Sequence, residues 1–414
     1  MTKTQEVFTF GCRLNIYESE IIKENLAKSG LENVAVFNTC AVTKEAEKQA
    51  RQAIRRQKKL DPTKIIIVTG CAAQNTPQMF ADMAEVDKVI GNEEKLSPLH
   101  YSLNTQRVLV NDIMSIKETA NHLVKSFEGK ARAFIQVQNG CDHRCTFCMI
   151  PYGRGNSRSV PIGVITDQVR ALTNEGFKEI VLTGVDVTAY GGDLPGKPTF
   201  AQMIKRLLSL VPELERLRLS SIDVAEIDDD LFNLMAYEKR LMPHFHISLQ
   251  AGDNMILKRM KRRHNREQVL EFCRKLRIVR PEVSYGADII AGFPTETDEM
   301  FENTRSLISE ANIQYLHVFP YSERDGTPAA RMPQVPLYIR KERAAILRTQ
   351  GQIEIQKFFK YNIGKKTKLL VEKNNMAHAE NFIPVKLDGD FFSGQLVDVE
   401  LIEYNDKYMV ARVA

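Results

Sequence analysis

Residues 1–125 alternate short runs of apolar, often β-branched residues with longer segments whose apolar positions recur at helical spacing. The short runs predict strands at Val7–Phe10, Val34–Phe37, Ile65–Thr69 and Val86–Ile90. The longer segments predict helices at Tyr17–Ser29, Lys44–Lys59 and Pro77–Met83. Because strands that alternate with helices are typical of parallel sheets, we expect an N-terminal α/β domain with helices on the faces of its sheet.

Residues 126–350 repeat a strand–helix unit six times. The predicted strands are Ala133–Gln138, Glu179–Thr183, Arg216–Leu219, His244–Leu249, Ser284–Ile290 and Gln314–Phe319. The predicted helices are Gly163–Asn174, Phe200–Leu210, Asp229–Tyr237, Arg266–Val279, Glu299–Ala311 and Tyr338–Phe359. Right-handed crossovers would curl six such units into a partial (β/α)6 barrel. Its functional residues are then expected at the carboxyl ends of the strands.

The pattern changes once more near the end of the chain, where short apolar runs are separated by turn residues. Strands are predicted at Thr367–Glu372, Phe382–Leu387, Gln395–Ile402 and Lys407–Val413. Residues 351–414 should therefore form a small all-β barrel. The predicted fold class is α/β overall, with three domains that span residues 1–125, 126–350 and 351–414.

Composition narrows the class of protein. The chain has 414 residues, 43% of them hydrophobic, and its net charge is +5. No apolar run approaches the roughly 20 residues that span a bilayer, and the first residues lack the apolar core of a signal peptide. We therefore expect a cytoplasmic protein with no membrane partner. In that compartment its seven cysteines should bind metal or take part in catalysis rather than form disulfides.

Three of the cysteines lie close together, since Cys141, Cys145 and Cys148 form a C-x3-C-x2-C motif. Thiolates are the usual ligands of iron–sulfur clusters, and three of them leave one iron of a 4Fe-4S cube open for a small molecule. The alternatives are unrelated thiols or a zinc site, but zinc needs four ligands and no fourth cysteine lies near in sequence. The spacing, with Phe147 before the last cysteine, resembles that of radical S-adenosylmethionine (SAM) enzymes.

Three more cysteines occupy equivalent places in the N-terminal domain. Cys12, Cys40 and Cys71 each follow one of the first three predicted strands. Sites in open α/β sheets form at the carboxyl ends of strands, so a parallel sheet would bring the three thiols to one edge. This predicts a second cluster with one open iron; the alternative is three unrelated buried thiols. Cys273 lies on the apolar face of a predicted helix and is expected in the core.

Positive charge is concentrated in two stretches. Residues 44–64 contain eight Lys or Arg against three acidic residues, and residues 255–285 contain ten against three. Such concentrations suit a polyanionic partner, although a solvated helix face explains them equally well. The C-terminal residues 351–414 carry nine basic and nine acidic residues, so their charge does not indicate nucleic-acid binding.

Short motifs from end to end resemble one family, the radical SAM methylthiotransferases. They are Phe10-Gly-Cys-Arg-Leu-Asn15 with Glu18-Ser19, Asn38-Thr-Cys-Ala-Val-Thr43, Thr69-Gly-Cys-Ala-Ala-Gln74, Gly140-Cys-Asp-His-Arg-Cys-Thr-Phe-Cys-Met-Ile-Pro-Tyr-Gly-Arg154, His246-Ile-Ser-Leu-Gln250, Asp288-Ile-Ile-Ala-Gly-Phe-Pro294 and His317-Val-Phe-Pro-Tyr-Ser322. Two of these segments are most similar to the branch that acts on N6-threonylcarbamoyladenosine in tRNA. They are the first motif and the last one, which continues to Gly326-Thr-Pro-Ala-Ala330.

The resemblance implies two 4Fe-4S clusters, with Cys141, Cys145 and Cys148 holding the one that cleaves SAM and Cys12, Cys40 and Cys71 holding an auxiliary one. It implies methylthiolation at carbon 2 of the modified adenine beside the anticodon, in the anticodon stem-loop of tRNA. It also implies an external one-electron donor, such as a flavodoxin or ferredoxin, and a C-terminal TRAM-like barrel that binds RNA. The candidate SAM-binding residues are Phe147, Thr183, Gly184, Ser221 and Gln250, for which ordinary packing at the barrel top is the alternative.

Four arginines are candidates for contact with RNA phosphates. Arg154 and Arg158 follow the cysteine triplet, and Arg262 and Arg263 lie in the second basic stretch. A salt-bridge role is the alternative for the first two.

Two other functions stay open. Sibling branches of the family act on isopentenyl-adenosine in tRNA or on an aspartate of a ribosomal protein. A protein of a different class, a non-catalytic iron–sulfur protein that binds RNA or transfers electrons, would carry the clusters without cleaving SAM.

Overall fold

The N-terminal part is a parallel sheet of five strands in sequential order. The structure, a computed structural model, describes residues 4–117, 124, 127 and 129–413. The strands are β1 (Gln5–Thr9), β2 (Val34–Thr39), β3 (Ile65–Gly70), β4 (Lys88–Ile90) and β5 (Val108–Leu109). The four predicted strands are confirmed. The fifth strand is too short, at two residues, to show a periodic pattern.

Four helices connect these strands: α1 (Arg13–Ser29), α2 (Lys44–Leu60), α3 (Cys71–Asn75) and α4 (Pro77–Ala81). Helix α2 starts where the Thr43 side chain accepts a hydrogen bond from the Ala46 amide, which satisfies one of the unpaired donors of the first turn. Helix α1 ends at Gly30, whose φ of 70° closes the helix in the left-handed region. Helix α1 begins directly after Cys12, and α2 begins four residues after Cys40.

Six parallel strands form the central partial barrel, as predicted. The strands of this region are β6 (Ala133–Gln136), β7 (Gln138–Asn139), β8 (Arg158–Ser159), β9 (Glu179–Thr183), β10 (Arg216–Leu219), β11 (His244–Gln250), β12 (Ser284–Ala291) and β13 (Tyr315–Pro320). One half pairs in the order β10-β9-β6 and the other in the order β11-β12-β13. Parallel bridges from Leu217 to Leu241 and from Ile222 to Ile247 join the halves. Strands β7 and β8 form a separate antiparallel pair beside the cysteine triplet.

Eight helices of the described residues belong to the barrel region, and the six longer ones cover its outside. In chain order, the eight are α5 (Ile150–Arg154), α6 (Ile162–Asn174), α7 (Phe200–Leu210), α8 (Asp229–Tyr237), α9 (Asn254–Arg259), α10 (Arg266–Val279), α11 (Asp298–Glu310) and α12 (Leu337–Asn362). The six predicted helices are confirmed to within a few residues, and Cys273 is fully buried on α10 as expected. The short helices α5 and α9 lie in loops at the carboxyl ends of strands, and the pattern did not reveal them.

The N-terminal sheet and the barrel share part of their core. Tyr17 and Ile21 of α1 pack in the same apolar cluster as Phe134 and Val137 of the barrel. The predicted boundary at residue 125 lies outside the described residues, and the boundary at residue 350 falls inside α12; both stay predictions. Within the described residues, no helix has the length and apolar character needed to cross a membrane.

The C-terminal strands close into a barrel of their own, in the order β14-β15-β16-β18-β17. They are β14 (Lys366–Val371), β15 (Met376–Ala379), β16 (Pro384–Lys386), β17 (Leu396–Tyr404) and β18 (Met409–Val413). The closed barrel is as predicted, with β15 as an additional strand. Its loop at Phe382 stacks on His244, at 4.6 Å between ring centroids. Because His244 begins β11, the small barrel covers the amino end of the large one and leaves the carboxyl end to the cysteines.

Candidate iron–sulfur and SAM site

Gln138 organises the loop that carries the cysteine triplet. Its Oε1 accepts hydrogen bonds from the amides of Val185 and Asp186, both at 2.9 Å, and its Nε2 donates to the carbonyl of Gly140 at 2.7 Å. Gly140 has a φ of 70°, and a Cβ there would lie 1.9 Å from the carbonyl oxygen of Asn156. Only glycine fits this turn, so the entry to the triplet is fixed by backbone packing.

Two of the three thiols, Cys145 and Cys148, have a hydrogen-bond donor near sulfur, whereas the Sγ of Cys141 lies 3.8 Å from Oδ2 of Asp186. The Ile150 amide lies 3.4 Å from the Sγ of Cys148, and Nη1 of Arg262 lies 3.7 Å from the Sγ of Cys145. Burial raises the pKa of the Cys148 thiol to about 12. Such a thiol becomes a thiolate ligand when a bound cation compensates its charge. Three thiols, N–H donors to sulfur and burial together fit an iron–sulfur cluster.

Phe147 packs beside the triplet rather than into solvent. Its ring meets Phe293 edge to face, with 6.3 Å between centroids, and Phe293 in turn meets Tyr321. The amide of its neighbour Thr146 donates to the carbonyl of Met260 at 3.1 Å, which anchors the triplet loop to the segment after α9. The structure thus places Phe147 between the cysteines and the turn that follows β12.

Thr183 and Gly184 end strand β9, as expected from the sequence. Thr183 is only 1% exposed, so its side chain packs inside the top of the barrel. Gly184 is required by close packing, because a Cβ there would lie 2.9 Å from both the carbonyl and the side-chain oxygen of Gln138. Gly184 therefore acts on the triplet loop through Gln138.

Ser221 and Gln250 both lie at the carboxyl edge of the barrel and are partly exposed. Gln250 ends β11 with a φ of 69°, a conformation that non-glycine residues seldom adopt and that is frequent at ligand sites. Of the five candidate SAM-binding residues, Phe147, Gly184, Ser221 and Gln250 are partly exposed, and only Thr183 is buried.

Cys12, Cys40 and Cys71 come together at the carboxyl edge of the N-terminal sheet. A Cβ on Gly11, next to Cys12, would lie 2.6 Å from the Sγ of Cys40. Burial raises the pKa of the Cys40 thiol to about 12, and the neighbouring Cys71 and Cys12 add to the shift. The amide nitrogen Nδ2 of Asn92 lies 3.6 Å from the Sγ of Cys71. Three adjacent thiols with a donor to sulfur also fit an iron–sulfur cluster.

The two cysteine sets face each other across α5, the helix that follows the triplet. A Cβ on Gly153 of α5 would lie 3.2 Å from the Cβ of Cys71. Nδ2 of Asn92 donates to the carbonyl of Gly153, and Nδ2 of Asn75 donates to the carbonyl of Met149 at 3.4 Å. Because the amide of Ile150, at the start of α5, also lies 3.4 Å from the Sγ of Cys148, both sets contact this short helix.

Arg154 and Arg158 are both only 3% exposed. Arg154 forms a two-pronged ion pair with Glu18, at 2.8 Å and 3.0 Å. Arg158 donates to the carbonyl of Arg154 at 3.0 Å. The structure therefore corrects the expectation that these two residues meet RNA phosphate: Arg154 has the salt-bridge role that was its alternative, and Arg158 serves the loop backbone.

Arg262 and Arg263 lie at the barrel mouth and share Asp223, at 3.0 Å and 3.1 Å. Arg263 also pairs with Glu226, at 2.6 Å, and retains 37% side-chain exposure, against 10% for Arg262. Arg263 can thus reach a ligand at the surface, whereas Arg262 faces the triplet. Asp223 and Glu226 were not identified from the sequence, because their loop carries no recognisable motif.

Two further clusters line the barrel. His143 within the triplet loop pairs with Asp186 at 2.9 Å, and hydrogen bonds that its ring donates to the carboxylates of Asp186 and Glu226 raise its pKa to about 9.

In the lumen, one oxygen of Asp288 contacts Nε2 of His246 at 3.1 Å and Nδ1 of His317 at 3.2 Å. The sequence motifs contained both histidines, but their shared carboxylate depends on the register of strands β11 to β13, since Asp288 pairs with His317 and His246 with Gly286.

Two family models match the chain. The Radical SAM superfamily matches residues 135–308, and a family described as uncharacterized, UPF0004, matches residues 4–91. The matched ranges contain the triplet and the three N-terminal cysteines, respectively. The solved structure of the radical SAM methyltransferase TsrM from Kitasatospora setae superimposes with a TM-score of 0.58 at 14% identity, over 80% of this chain and 77% of that one; this likeness concerns the fold.

Curated relatives cover nearly the whole chain. The chain is 71% identical to the threonylcarbamoyladenosine tRNA methylthiotransferase MtaB of Rickettsia prowazekii, over 98% of this chain and 96% of that protein. It is 39% identical to the protein of the same name from Aquifex aeolicus, over 94% and 98%. Identity to the tRNA-2-methylthio-N(6)-dimethylallyladenosine synthase of Rickettsia conorii is 33%, over 90% and 89%. The chain therefore belongs to the radical SAM methylthiotransferase family, in its MtaB-type branch.

Proposed function

We propose that this protein attaches a methylthio group to carbon 2 of N6-threonylcarbamoyladenosine, at the tRNA position 3′ to the anticodon. The observation that carries the proposal is that two sets of three cysteines contact the same short helix, α5. The 71% identity to a relative named for this activity supports the substrate, against 33% for the relative named for the dimethylallyl substrate.

In this proposal Cys141, Cys145 and Cys148 hold one 4Fe-4S cluster, and Cys12, Cys40 and Cys71 hold another. When bound, the first cluster would supply the electron that cleaves SAM, and the open iron of the second would carry the sulfur that is transferred. The chain's own residues position these groups: Gln138 shapes the triplet loop, and Phe147 with the Phe293 turn forms one wall beside it.

The remaining SAM contacts are assigned to the carboxyl edge of the barrel. Ser221 and Gln250 are placed against the ribose and amino-acid portions of SAM, whereas Thr183 and Gly184 support that edge by packing. An external one-electron donor, such as a flavodoxin or ferredoxin, completes the reaction.

The tRNA partner must present the modified base outside a stacked helix, because the reacting carbon has to reach the site. An anticodon loop is single-stranded and therefore suits this requirement. The exposed basic residues of α2, together with Arg263 at the barrel mouth, are assigned to the phosphate backbone.

The proposal is tested with anaerobically reconstituted protein, SAM, dithionite and tRNA that carries either threonylcarbamoyladenosine or isopentenyl-adenosine. Mass spectrometry of digested nucleosides should show the 2-methylthio product of the first tRNA only, and Cys40→Ala and Cys145→Ala should each abolish it. Product from the second tRNA would move the chain to the sibling branch. Intact clusters without any SAM cleavage would favour a non-catalytic iron–sulfur protein.

A further inference from the structure

A buried ion-pair network lies between the two cysteine sets. Glu18 of α1 accepts hydrogen bonds from Arg154 at 2.8 Å and 3.0 Å and from Lys95 at 2.7 Å. Each of the three side chains is at most 3% exposed. A buried ion pair contributes little net stability compared with an apolar replacement of the same shape. Arg154 and Glu18 therefore invite a functional explanation.

The guanidinium of Arg154 is linked to the N-terminal thiols through Asn15. Its Nη2 donates to Oδ1 of Asn15 at 2.7 Å, and the same oxygen lies 4.0 Å from the Sγ of Cys12. On the other side, Gly153 adjoins the Cβ of Cys71.

We propose that Arg154 is a positioning residue that holds a fixed positive charge beside Cys12 and Cys71 and thereby raises the reduction potential of the cluster they bind. This inference rests on the proposed function, since it requires the auxiliary cluster. A cation inside a dry protein acts strongly on a nearby charge. Reduction makes a cluster more negative, so a neighbouring cation favours the reduced form, and charge and hydrogen bonds are known determinants of cluster potential.

Glu18 has two effects in this arrangement. It holds the guanidinium in place through both carboxylate oxygens, which is the geometry that makes Arg–carboxylate pairs directional. It also offsets part of the positive charge felt at the thiols. Removing the arginine and neutralising the glutamate should therefore change the potential in opposite directions, although both changes break the same ion pair.

The test uses the full-length chain with Cys141, Cys145 and Cys148 all replaced by alanine, so that only the auxiliary cluster forms. The potential is measured by redox titration, followed by electron paramagnetic resonance. Arg154→Met should shift it to more negative values and Glu18→Gln to more positive values. Arg154→Lys retains the positive charge, so its reduction potential should stay close to that of the protein that has only the three alanine replacements. Arg206→Met, on the outer helix α7, is the matched control and should cause no shift.

Shifts of the same sign in Arg154→Met and Glu18→Gln would indicate a structural role and overturn the proposal, as would an unchanged potential in both. If Arg154→Met does not bind a cluster, Glu18→Gln alone decides, because a potential that is unchanged or more negative contradicts the charge effect. If Arg154→Met, Glu18→Gln and Arg154→Lys all fail to bind a cluster, Arg154 has a purely structural role and the proposal is overturned. If the protein with only the three cysteine-to-alanine replacements binds no cluster, the second cluster itself is refuted.

Discussion

Nη1 of Arg262 lies 3.7 Å from the Sγ of Cys145, in a guanidinium that other contacts hold in place. Its Nη2 donates to Asp223 at 3.0 Å and to the carbonyl of Ser248 at 2.8 Å. Burial alone would raise the pKa of Asp223, but His264 and Arg262 lower it well below its usual range, so the carboxylate stays ionised. Arg262 is thus a fixed cation beside the triplet, although its sequence context suggested RNA.

Arg262→Met should slow SAM cleavage, because the triplet loses its nearby cation. We expect a loss of about tenfold or more in the rate of 5′-deoxyadenosine formation, which corresponds to about 1.4 kcal/mol in the barrier. The rate is measured with dithionite and without tRNA. Arg274→Met, an exposed arginine on α10, is the control. A defect that appears only when tRNA is present would assign Arg262 to RNA binding instead.

Low pH should destabilise the protein through Glu179. Burial alone would raise its pKa, but Arg218, Arg132 and Arg216 hold it at about 2. The folded pKa lies below that of the unfolded chain, so the stabilisation is present above about pH 4.5 and decreases as the pH falls toward 2; it is worth at most about 3 kcal/mol.

Urea unfolding of the cluster-free protein at pH 7 and pH 3.5, followed by circular dichroism, measures this loss. Glu179→Gln should make the free energy of unfolding less dependent on pH over that interval. Glu342→Gln, at an exposed position of α12, should behave as the unsubstituted protein. An identical pH dependence in all three proteins would contradict the assignment.

Phe382 should anchor the C-terminal barrel to the central one. Its ring stacks on His244 and lies beneath the guanidinium groups of Arg132 and Arg218, at 5.4 Å and 5.2 Å from the centroid. Phe382→Ala should lower the free energy of unfolding by about 3 kcal/mol. Phe392→Ala, at a ring that is 83% exposed, should change it by less than about 0.5 kcal/mol. If Phe382→Ala and Phe392→Ala lower the free energy of unfolding equally, Phe382 does not stabilise the contact between the two barrels.

The exposed face of α2 should contribute to tRNA affinity. Lys48 and Arg56 are exposed there. Charge reversal in Lys48→Glu with Arg56→Glu should weaken binding and reduce the salt dependence, since each lost phosphate contact lowers the slope of log K against log salt by about 0.9. Filter binding of tRNA at several salt concentrations measures both quantities. Arg206→Glu on α7 is the control. If the double variant binds tRNA with the same affinity and salt dependence as this control, α2 does not contact tRNA.

The sequence by itself determined the types and the order of the main elements. Periodicity is a local property, so the strand Glu179–Thr183 and the helix Arg266–Val279 could be predicted with the bounds that the structure has. Local patterns failed where they were short or atypical. Val108–Leu109 has only two residues, and Met376–Ala379 consists of residues with low strand propensity.

The sequence also supplied the six cysteines of the site. The triplet was recognisable from its spacing alone, and the approach of Cys12, Cys40 and Cys71 followed from the rule that parallel strands end at one edge. That inference succeeded because the N-terminal sheet is parallel and sequential in order.

Only the tertiary structure decided the partners of the charged residues. Arg154 and Glu18 are 136 residues apart, and Arg218 reaches the carbonyl of Ala379 across 161 residues. A side chain's charge is visible in the sequence, but its burial and its partner depend on how distant segments pack. Three of the four arginines that suggested RNA contact, Arg154, Arg158 and Arg262, therefore proved to be internal and paired, as a buried guanidinium must be.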